Sequence, residues 1–504
     1  MKKTALRFIA LSSLLSLFLF SASGLGMTNT TTTAAATATQ DAPGQKPANK
    51  APEGIEGTWF GIIRKLRLVL KVSKGADGKL AYKLYSLEQG DLPVDTFDFT
   101  DPKFRFEMKA FGAYFEGALN KDGEIAGTFK QGNASFPLVF KRVLEVPQLN
   151  RPQEPKKPYP YEEEEVTYEN KRDKVRISGT LTRPRGARGP VPAVLLITGS
   201  GPQNRDEAIM GHRPFLVLAD YLTRKGIAVL RVDDRGIGGT SDGTPDDTSE
   251  NYVADVLAGV EFLKTRKEIN AREIGLIGHS EGGMVAPLVA AQSKDVAFLV
   301  LIAGPGLPGA RLILLQNDML SRVGGMSDDT REQMRLLYTR IFAVLKEEKD
   351  NAAAEKKIRE ALNSQLSRMT DAQKQEFAEI KRVVEAQGSM YVSPWFRYFL
   401  NYDPRPALMK VKVPVLAVNG ERDLQVPADE NLAAISEALK AGGNKDYAVV
   451  KLPRLNHLLQ TSKSGALEEY GEIEETISPA ALDTITNWIL KHTVEQNKTA
   501  ASAK

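Results

Sequence analysis

Two hydrophobic rhythms divide this chain. Over residues 53–143 the apolar positions fall in short, partly alternating runs, "GTWFGII", "LRLVLKV", "LAYKLYSL", "FRFEMKA", "AYFEGAL" and "FPLVFKRV". Turns such as Asp122-Gly123 separate them. Alternation broken by Gly/Asp turns is the pattern of half-buried strands. The segment is predicted to be a small all-β domain, a barrel or a sandwich. It has no histidine and no acid–base grouping, so a binding, assembly, lid or purely structural role is expected of it.

From residue 166 the rhythm changes. Continuous apolar runs, "AVLLIT" (193–198), "IAVLRVD" (227–233), "EIGLIG" and "AFLVLIAG" (297–304), follow a first strand at "VRISGTLTRP". Amphipathic stretches lie between them, "PFLVLADYLTRKG", "VADVLAGVEFLKTR" and "MVAPLVAAQ". Fully apolar strands alternating with helices imply a mostly parallel sheet covered on both faces, an α/β architecture. The pattern then breaks. Residues 305–405 hold no good strand, and "DDTREQMRLLYTRIFAVLKEEK", "AAAEKKIREALNSQL" and "DAQKQEFAEIKRVVEAQ" read as helices with charged outer faces. Strands resume at "VPVLAVNG" (413–420) and "DYAVVKLP" (446–453), and a helix closes the pattern at "PAALDTITNWILKH". A helical insertion inside such a sheet covers the ligand crevice as a cap.

The ends and joints read differently. "MKKTALR" followed by the 13-residue apolar run "FIALSSLLSLFLF" and "SASG" has the form of an export signal, cleaved near Ser23. The run is short for a membrane span, the bland alternative being an uncleaved anchor. Residues 1–23 are thus expected to be a signal peptide, 24–52 a disordered Thr/Ala/Pro-rich tether and 144–165 a Pro-rich linker. The run Glu162–Glu165 in that linker is expected to be solvated. The catalytic domain is placed at 166–492 with its cap at 305–405, and the mature protein in the periplasm or outside the cell, without stable membrane insertion.

Composition removes whole classes of chemistry. There is no cysteine, so disulfides, thiol nucleophiles and Cys-based zinc sites are excluded. With 67 basic against 63 acidic residues the charge balance is too even for a nucleic-acid footprint. No cofactor and no metal is expected, and oligomeric state is not legible.

G-x-S-x-G occurs twice, as "GHSEG" (278–282) and "GTSDG" (239–243). Ser280 follows a buried strand and opens a helix, the strand–turn–helix that pushes a serine outward at the carboxyl end of a sheet. Glycines 278, 282 and 283 suit the close packing and unusual φ of such an elbow. Ser241 lies in the loop "DDRGIGGTSDGT", where no helix starts at the serine. Ser280 is therefore the candidate nucleophile. It needs an imidazole, and the imidazole a carboxylate. Of the four histidines, His457 in "LPRLNHLLQ" comes just after the last strand, at the same sheet end as Ser280. His279 is set aside because successive side chains at the elbow diverge, which packs it beside the sheet. His212 follows the first loop of the domain, and His492 lies on the terminal helix. Asp423 in "VNGERDLQVP" is the expected acid; its rivals are Glu421 and Asp429, the latter expected to cap a helix.

The oxyanion of acyl transfer needs donors. The backbone N–H of Glu281 and that of Ser200 in "TGSGPQNRD" are expected to supply them, with Gly201 next in line. That loop lacks the G-K-[ST] of a phosphate cradle and the G-x-G-x-x-G of a dinucleotide site. Arg235 contacts a substrate carboxylate or, as favoured here, braces its loop through Asp233 or Asp234. Trp395, Phe396, Phe399 and Tyr402 line an apolar acyl pocket or pack the cap core; the pattern leaves both open.

In these motifs the chain resembles the α/β-hydrolase superfamily. The likeness is to the branch that groups serine aminopeptidase (S33)-like hydrolases with cinnamoyl and feruloyl esterases. "TGSGPQNRD", "DDRGIGGTS", "GHSEGG", "NGERDLQVP" and "NH" carry it, in that order, over about residues 166–492. Many relatives have His-Gly where this chain has Thr198-Gly199. A β-rich module ahead of an exported hydrolase is also similar to an arrangement in bacterial secreted hydrolases. The resemblance implies a serine hydrolase acting on a small ester or a short peptide. The reading from another class is a binding protein with an unused triad.

Overall fold

A computed structural model describes residues 54–75, 78–131 and 134–502. The segments read as signal peptide and tether lie outside the described residues. The described residues form two sheets and two compact units, one within 54–150 with Ile209–Gly211, the other made of Arg151–Ala208 and 212–502.

In the first unit nine antiparallel strands form one sheet among the described residues. Gly57–Ile63 and Ala134–Arg142 pair near its middle; Gly90–Asp91 and Thr96–Thr100 are its edges. Every second residue turns inward onto Trp59, Phe104, Phe106, Phe115 and Phe140, all buried. Phe106 and Phe115 stack at 5.4 Å between centroids. Tyr82 and Phe97, from strands near opposite edges, stack at 4.2 Å, so the sheet curls around its aromatic core.

The second unit is the α/β sheet that the alternation implies. Its strands are β1 (Glu162–Asn170), β2 (Val175–Arg183), β3 (Val191–Ile197), β4 (Ala228–Val232), β5 (Ile269–His279), β6 (Phe298–Ile302), β7 (Val415–Gly420) and β8 (Tyr447–Leu452). They lie in the order β1-β2-β4-β3-β5-β6-β7-β8. β1, β2 and β4 pair antiparallel; the pairs from β4–β3 through to β7–β8 are parallel. The central strands are buried on both faces, as their unbroken apolar runs require. Helices α1 (Pro214–Arg224), α2 (Ser249–Lys264) and α3 (Glu281–Ala290) follow β3, β4 and β5.

One element differs from expectation. Glu162–Glu165, expected in a solvated linker, begins the edge strand β1. Strand pairing with β2 places Val166 inward, and cations claim the carboxylates: Glu164 accepts from Arg266 at 2.6 Å and Glu165 pairs with Arg205. Four consecutive glutamates conceal a strand whose charges are met by Lys157 close by and by arginines distant in the chain.

Between β6 and β7 lies the helical insertion: α4 (Gly309–Val323), α5 (Asp328–Glu347), α6 (Asn351–Ser367), α7 (Asp371–Ala386) and α8 (Pro394–Asn401). These helices share an apolar core of their own, including Leu337, Ile341, Phe377 and Phe396. α9 (Ala428–Ala441) and α10 (Pro479–Ser502) complete the sheet's cover. Among the described residues no helix is long and apolar enough to cross a membrane.

Candidate active site

The centre of the site is the turn from β5 into α3. Ser280 has φ 51° and ψ −115°, left-handed backbone that a serine adopts only under restraint. Its N–H donates to Ile302 O at 2.9 Å, and its carbonyl accepts from Gly283 N–H at 2.9 Å. The glycines act through proximity. A Cβ on Gly278 would lie 2.0 Å from Gly282 O, one on Gly282 2.2 Å from Ile197 O, and one on Gly283 2.6 Å from Gly304 Cα. The expected unusual φ therefore belongs to the serine, and the glycines let its turn press against β3 and β6.

Asp423 and His457 stand on the loops after β7 and β8. Asp423 is 1 % exposed. Its Oδ2 accepts from His457 Nδ1 at 2.8 Å, and its Oδ1 accepts from the N–H groups of Gln425 (2.8 Å) and Val426 (2.9 Å). Gly420 lets the two loops meet, since a Cβ there would lie 2.2 Å from Leu455 O. Asn456 shapes the histidine's turn, its Oδ1 accepting from Leu458 and Gln460 N–H. The rivals are engaged elsewhere. Glu421 accepts from Arg454 N–H. Asp429 is in the first turn of α9 rather than at its cap, and pairs with Lys451 at 2.6 Å. The His457 ring lies 4.8 Å from that of His279, the serine's neighbour. The structure thus joins Asp423 to His457 and brings the His457 ring beside the residue that precedes Ser280.

The loop after β3 abuts the serine: a Cβ on Gly199 would lie 3.4 Å from Ser280 Cβ. Gly199 N–H is given to Glu207 Oε1 at 2.7 Å and is not free for an oxyanion. Ser200 and Gly201 follow it on the same loop, and Glu281 opens α3. Asp234 fastens the loop from below, accepting from Thr198 Oγ1 and from Gln203 N–H, each at 2.9 Å. Burial raises the Asp234 pKa well above the carboxylate range; those bonds oppose the shift, while the Glu281 and Glu207 charges add to it.

Arg235 braces, but not through Asp233 or Asp234. Its guanidinium binds Asp255 (2.6 Å), Asp173 (2.5 Å) and Asp247 (3.1 Å). Asp233 instead takes Arg205 at 2.7 Å, a loop residue the sequence reading passed over. A side chain paired three times with carboxylates is not available to a substrate. Ser241 is likewise structural: its N–H donates to Arg176 O, and its Oγ accepts from Arg176 N–H, both at 2.9 Å. His212 is fully buried among Thr476, Tyr470 and Gln460, and burial lowers its pKa to about 4. His492 is on α10, its Nδ1 donating to Trp488 O.

The four aromatic candidates divide. Phe396 is 2 % exposed in the cap core. Trp395 and Phe399 are half-buried and stack at 5.7 Å. Tyr402 is half-buried where α8 ends. Trp395 also reaches the elbow: its Nε1–H donates to Glu281 Oε1 at 2.9 Å, and Ser249 Oγ donates to the same oxygen at 2.5 Å. Glu281, expected to matter only through its backbone, thus ties the cap to the Ser280 turn with its side chain. A cavity of about 30 Å³ lies beneath this turn, lined by Tyr168, Thr198, Asp234, Tyr252 and Glu281 among others; none of the four aromatic candidates lines it.

A mostly parallel sheet with a serine elbow at its carboxyl end and a helical cap defines an α/β hydrolase. The alpha/beta hydrolase family model matches residues 194–469, more than half of the chain, and the chain belongs to that family. It is 25% identical over 380 residues to esterase EstD of Thermotoga maritima, covering 74% of this chain and 75% of that protein. Among solved structures it is similar to Est1E of Butyrivibrio proteoclasticus with ferulic acid bound (17% identity, TM-score 0.38, 66% of this chain and 99% of that one). It is also similar to the Pyrococcus furiosus esterase Pf2001 (18% identity, TM-score 0.40, 68% and 97%).

The elbow carboxyl carries a pH signature. Burial raises the Glu281 pKa, and the bonds from Ser249 and Trp395 offset part of the shift. Between the ordinary carboxyl value and the raised one the folded protein holds more protons than the unfolded chain, so stability falls as pH rises through that window. Glu281→Gln keeps an accepting oxygen and cannot ionise. It is expected to raise Tm at pH 8 and to leave Tm unchanged at pH 4. Thermal unfolding at both pH values checks this; an equal gain at both would refute it.

Proposed function

We propose that this protein is a serine hydrolase that cleaves carboxylic esters through an acyl-enzyme. The observation that carries the reading is the buried 2.8 Å bond between Asp423 and His457, on the loops after β7 and β8 beside the restrained Ser280. Ser280 Oγ attacks the ester carbonyl while His457 Nε2 takes its proton. Asp423 holds the imidazole with Nδ1–H inward and steadies the imidazolium that forms. The N–H groups of Glu281 and Ser200 receive the oxyanion, Gly199 being committed to Glu207. His457 then protonates the departing alcohol, and water repeats the sequence on the acyl-serine. The half-buried Trp395 and Phe399 form the apolar wall for the acyl group, with Tyr402 at its margin.

An ester is favoured over a peptide substrate by the likeness to EstD, whose name is that of an esterase. The chain fits the branch of serine aminopeptidase (S33)-like and feruloyl-type hydrolases. We also propose that residues 1–23 direct export to the periplasm or beyond and are removed, that 24–52 is a tether, and that the β-rich module precedes the hydrolase domain in the mature protein. Exported protein should then begin after Ser23; an N-terminus retaining Met1 would contradict this.

A fluorophosphonate probe should label the native protein and spare Ser280→Ala. Asp423→Asn should lower kcat on a p-nitrophenyl acyl ester by about 10³–10⁴-fold with little change in KM, because the imidazole tautomer is then wrong. Equal labelling of native protein and Ser280→Ala, or turnover of amino-acid anilides alone, would overturn the reading.

A further inference from the structure

A second carboxylate–imidazole pair lies directly behind the first. Glu207, in the loop after β3, is 3 % exposed, and its backbone is held at φ 51°. Its Oε1 takes two bonds, from Gly199 N–H at 2.7 Å and from His279 Nδ1 at 2.8 Å. The other ring nitrogen of His279, Nε2, lies 3.1 Å from the backbone carbonyl of His457. One chain of bonds therefore joins the loop that carries Ser200, the residue before Ser280, and the backbone of the base. The two imidazole rings are 4.8 Å apart.

Both nitrogens of His279 face acceptors, a carboxylate oxygen and a carbonyl oxygen. A neutral imidazole has one N–H and would leave one of those contacts without a proton. The arrangement is complete only when Glu207 and His279 together hold one proton more than a carboxylate and a neutral ring. The groups around the ring agree with this: the Glu207 and Asp423 carboxyl groups and the His457 carbonyl all favour a protonated ring. Burial alone would lower the His279 pKa, but the Glu207 carboxylate, the His457 carbonyl and Asp423 together leave it raised.

We propose that Glu207 and His279 are positioning residues for the reaction, a proton-holding clamp that sets the oxyanion loop and the base loop relative to Ser280. Neither touches the reacting atoms. His279 acts through the His457 backbone, and Glu207 through Gly199. The clamp adds to the triad a constraint the triad lacks, because Asp423 fixes the tilt of the His457 ring while His279 fixes the height of its backbone. The proposal rests on the serine-hydrolase reading above.

The test uses the full-length protein with His279→Gln and Glu207→Gln. Displacing a catalytic group by a fraction of an ångström costs about 10–10²-fold. Each variant is expected to lose that much in kcat on a p-nitrophenyl ester with KM within about twofold. The double variant should lose little more than either single one, because one chain of bonds is cut in each case. Fluorophosphonate labelling should slow in proportion. Native kcat and labelling in both variants would overturn the proposal, as would multiplied losses in the double variant. Should a variant fail to fold, ¹⁵N-imidazole spectra of the native protein decide. His279 is expected to show two protonated nitrogens at pH 7.5; a neutral ring there beside an ionised Glu207 carboxyl, read from ¹³C-carboxyl spectra, would refute the clamp. Ser280→Ala separates the two claims: if it labels as well as native protein, the serine-hydrolase reading has failed. If it is silent and the His279 and Glu207 variants behave as native, only the clamp has failed.

Discussion

Everything in the site depends on a serine held in a backbone conformation it would not choose. A φ of 51° at a non-glycine residue costs on the order of 1–3 kcal/mol and persists only where its surroundings over-determine it. Here they do. The turn is anchored to Ile302, and three glycines let the backbone of β3, β6 and α3 crowd within distances no Cβ could share. The consequence is an Oγ displayed at the sheet's carboxyl end, with the first N–H groups of a helix beside it. The loop after β3, the loop after β8 and the cap each meet that turn, through Gly199, the His457 carbonyl and Trp395.

Charge then fastens the loops. Each flexible connection at this sheet end is tied by a carboxylate to something rigid. Asp234 and Glu207 hold the loop after β3, Asp423 holds the His457 imidazole, and Arg235 gathers three aspartates at the loop after β4. Satisfied polar networks of this kind rigidify because each member is costly to leave unpaired. Glu281 extends the same logic to the cap, since the indole of Trp395 bonds the carboxyl that follows Ser280. Cap position and elbow geometry are therefore coupled through one side chain.

How much of this is legible in the sequence follows from the range of the interactions. The sheet is readable because parallel strands buried on both faces must be apolar throughout. Ser280 is readable because its strand–turn–helix is local, and Asp423 and His457 because each follows a strand whose end lies at the same edge. The decoy at Ser241 is distinguishable for the same local reason. What escaped reading is long-range. Glu207 meets His279 across 72 residues, and Trp395 meets Glu281 across 114. The aspartates on Arg235 come from three separate segments, so adjacency in sequence pointed wrongly to Asp233 and Asp234. The strand at Glu162–Asn170 was masked by four glutamates whose neutralising arginines lie elsewhere in the chain. His279 lies beside the serine in sequence, but nothing near it in the chain marks Glu207, the carboxylate it bonds.

The most direct test of the central claim is to trap the acyl-enzyme. A p-nitrophenyl ester is mixed with enzyme, quenched with acid within the first turnover, and the protein is digested and weighed by mass spectrometry. The account requires an acyl adduct on the peptide containing Ser280, formed together with a burst of about one equivalent of p-nitrophenol. An adduct on another residue, or turnover with neither burst nor adduct, would contradict it.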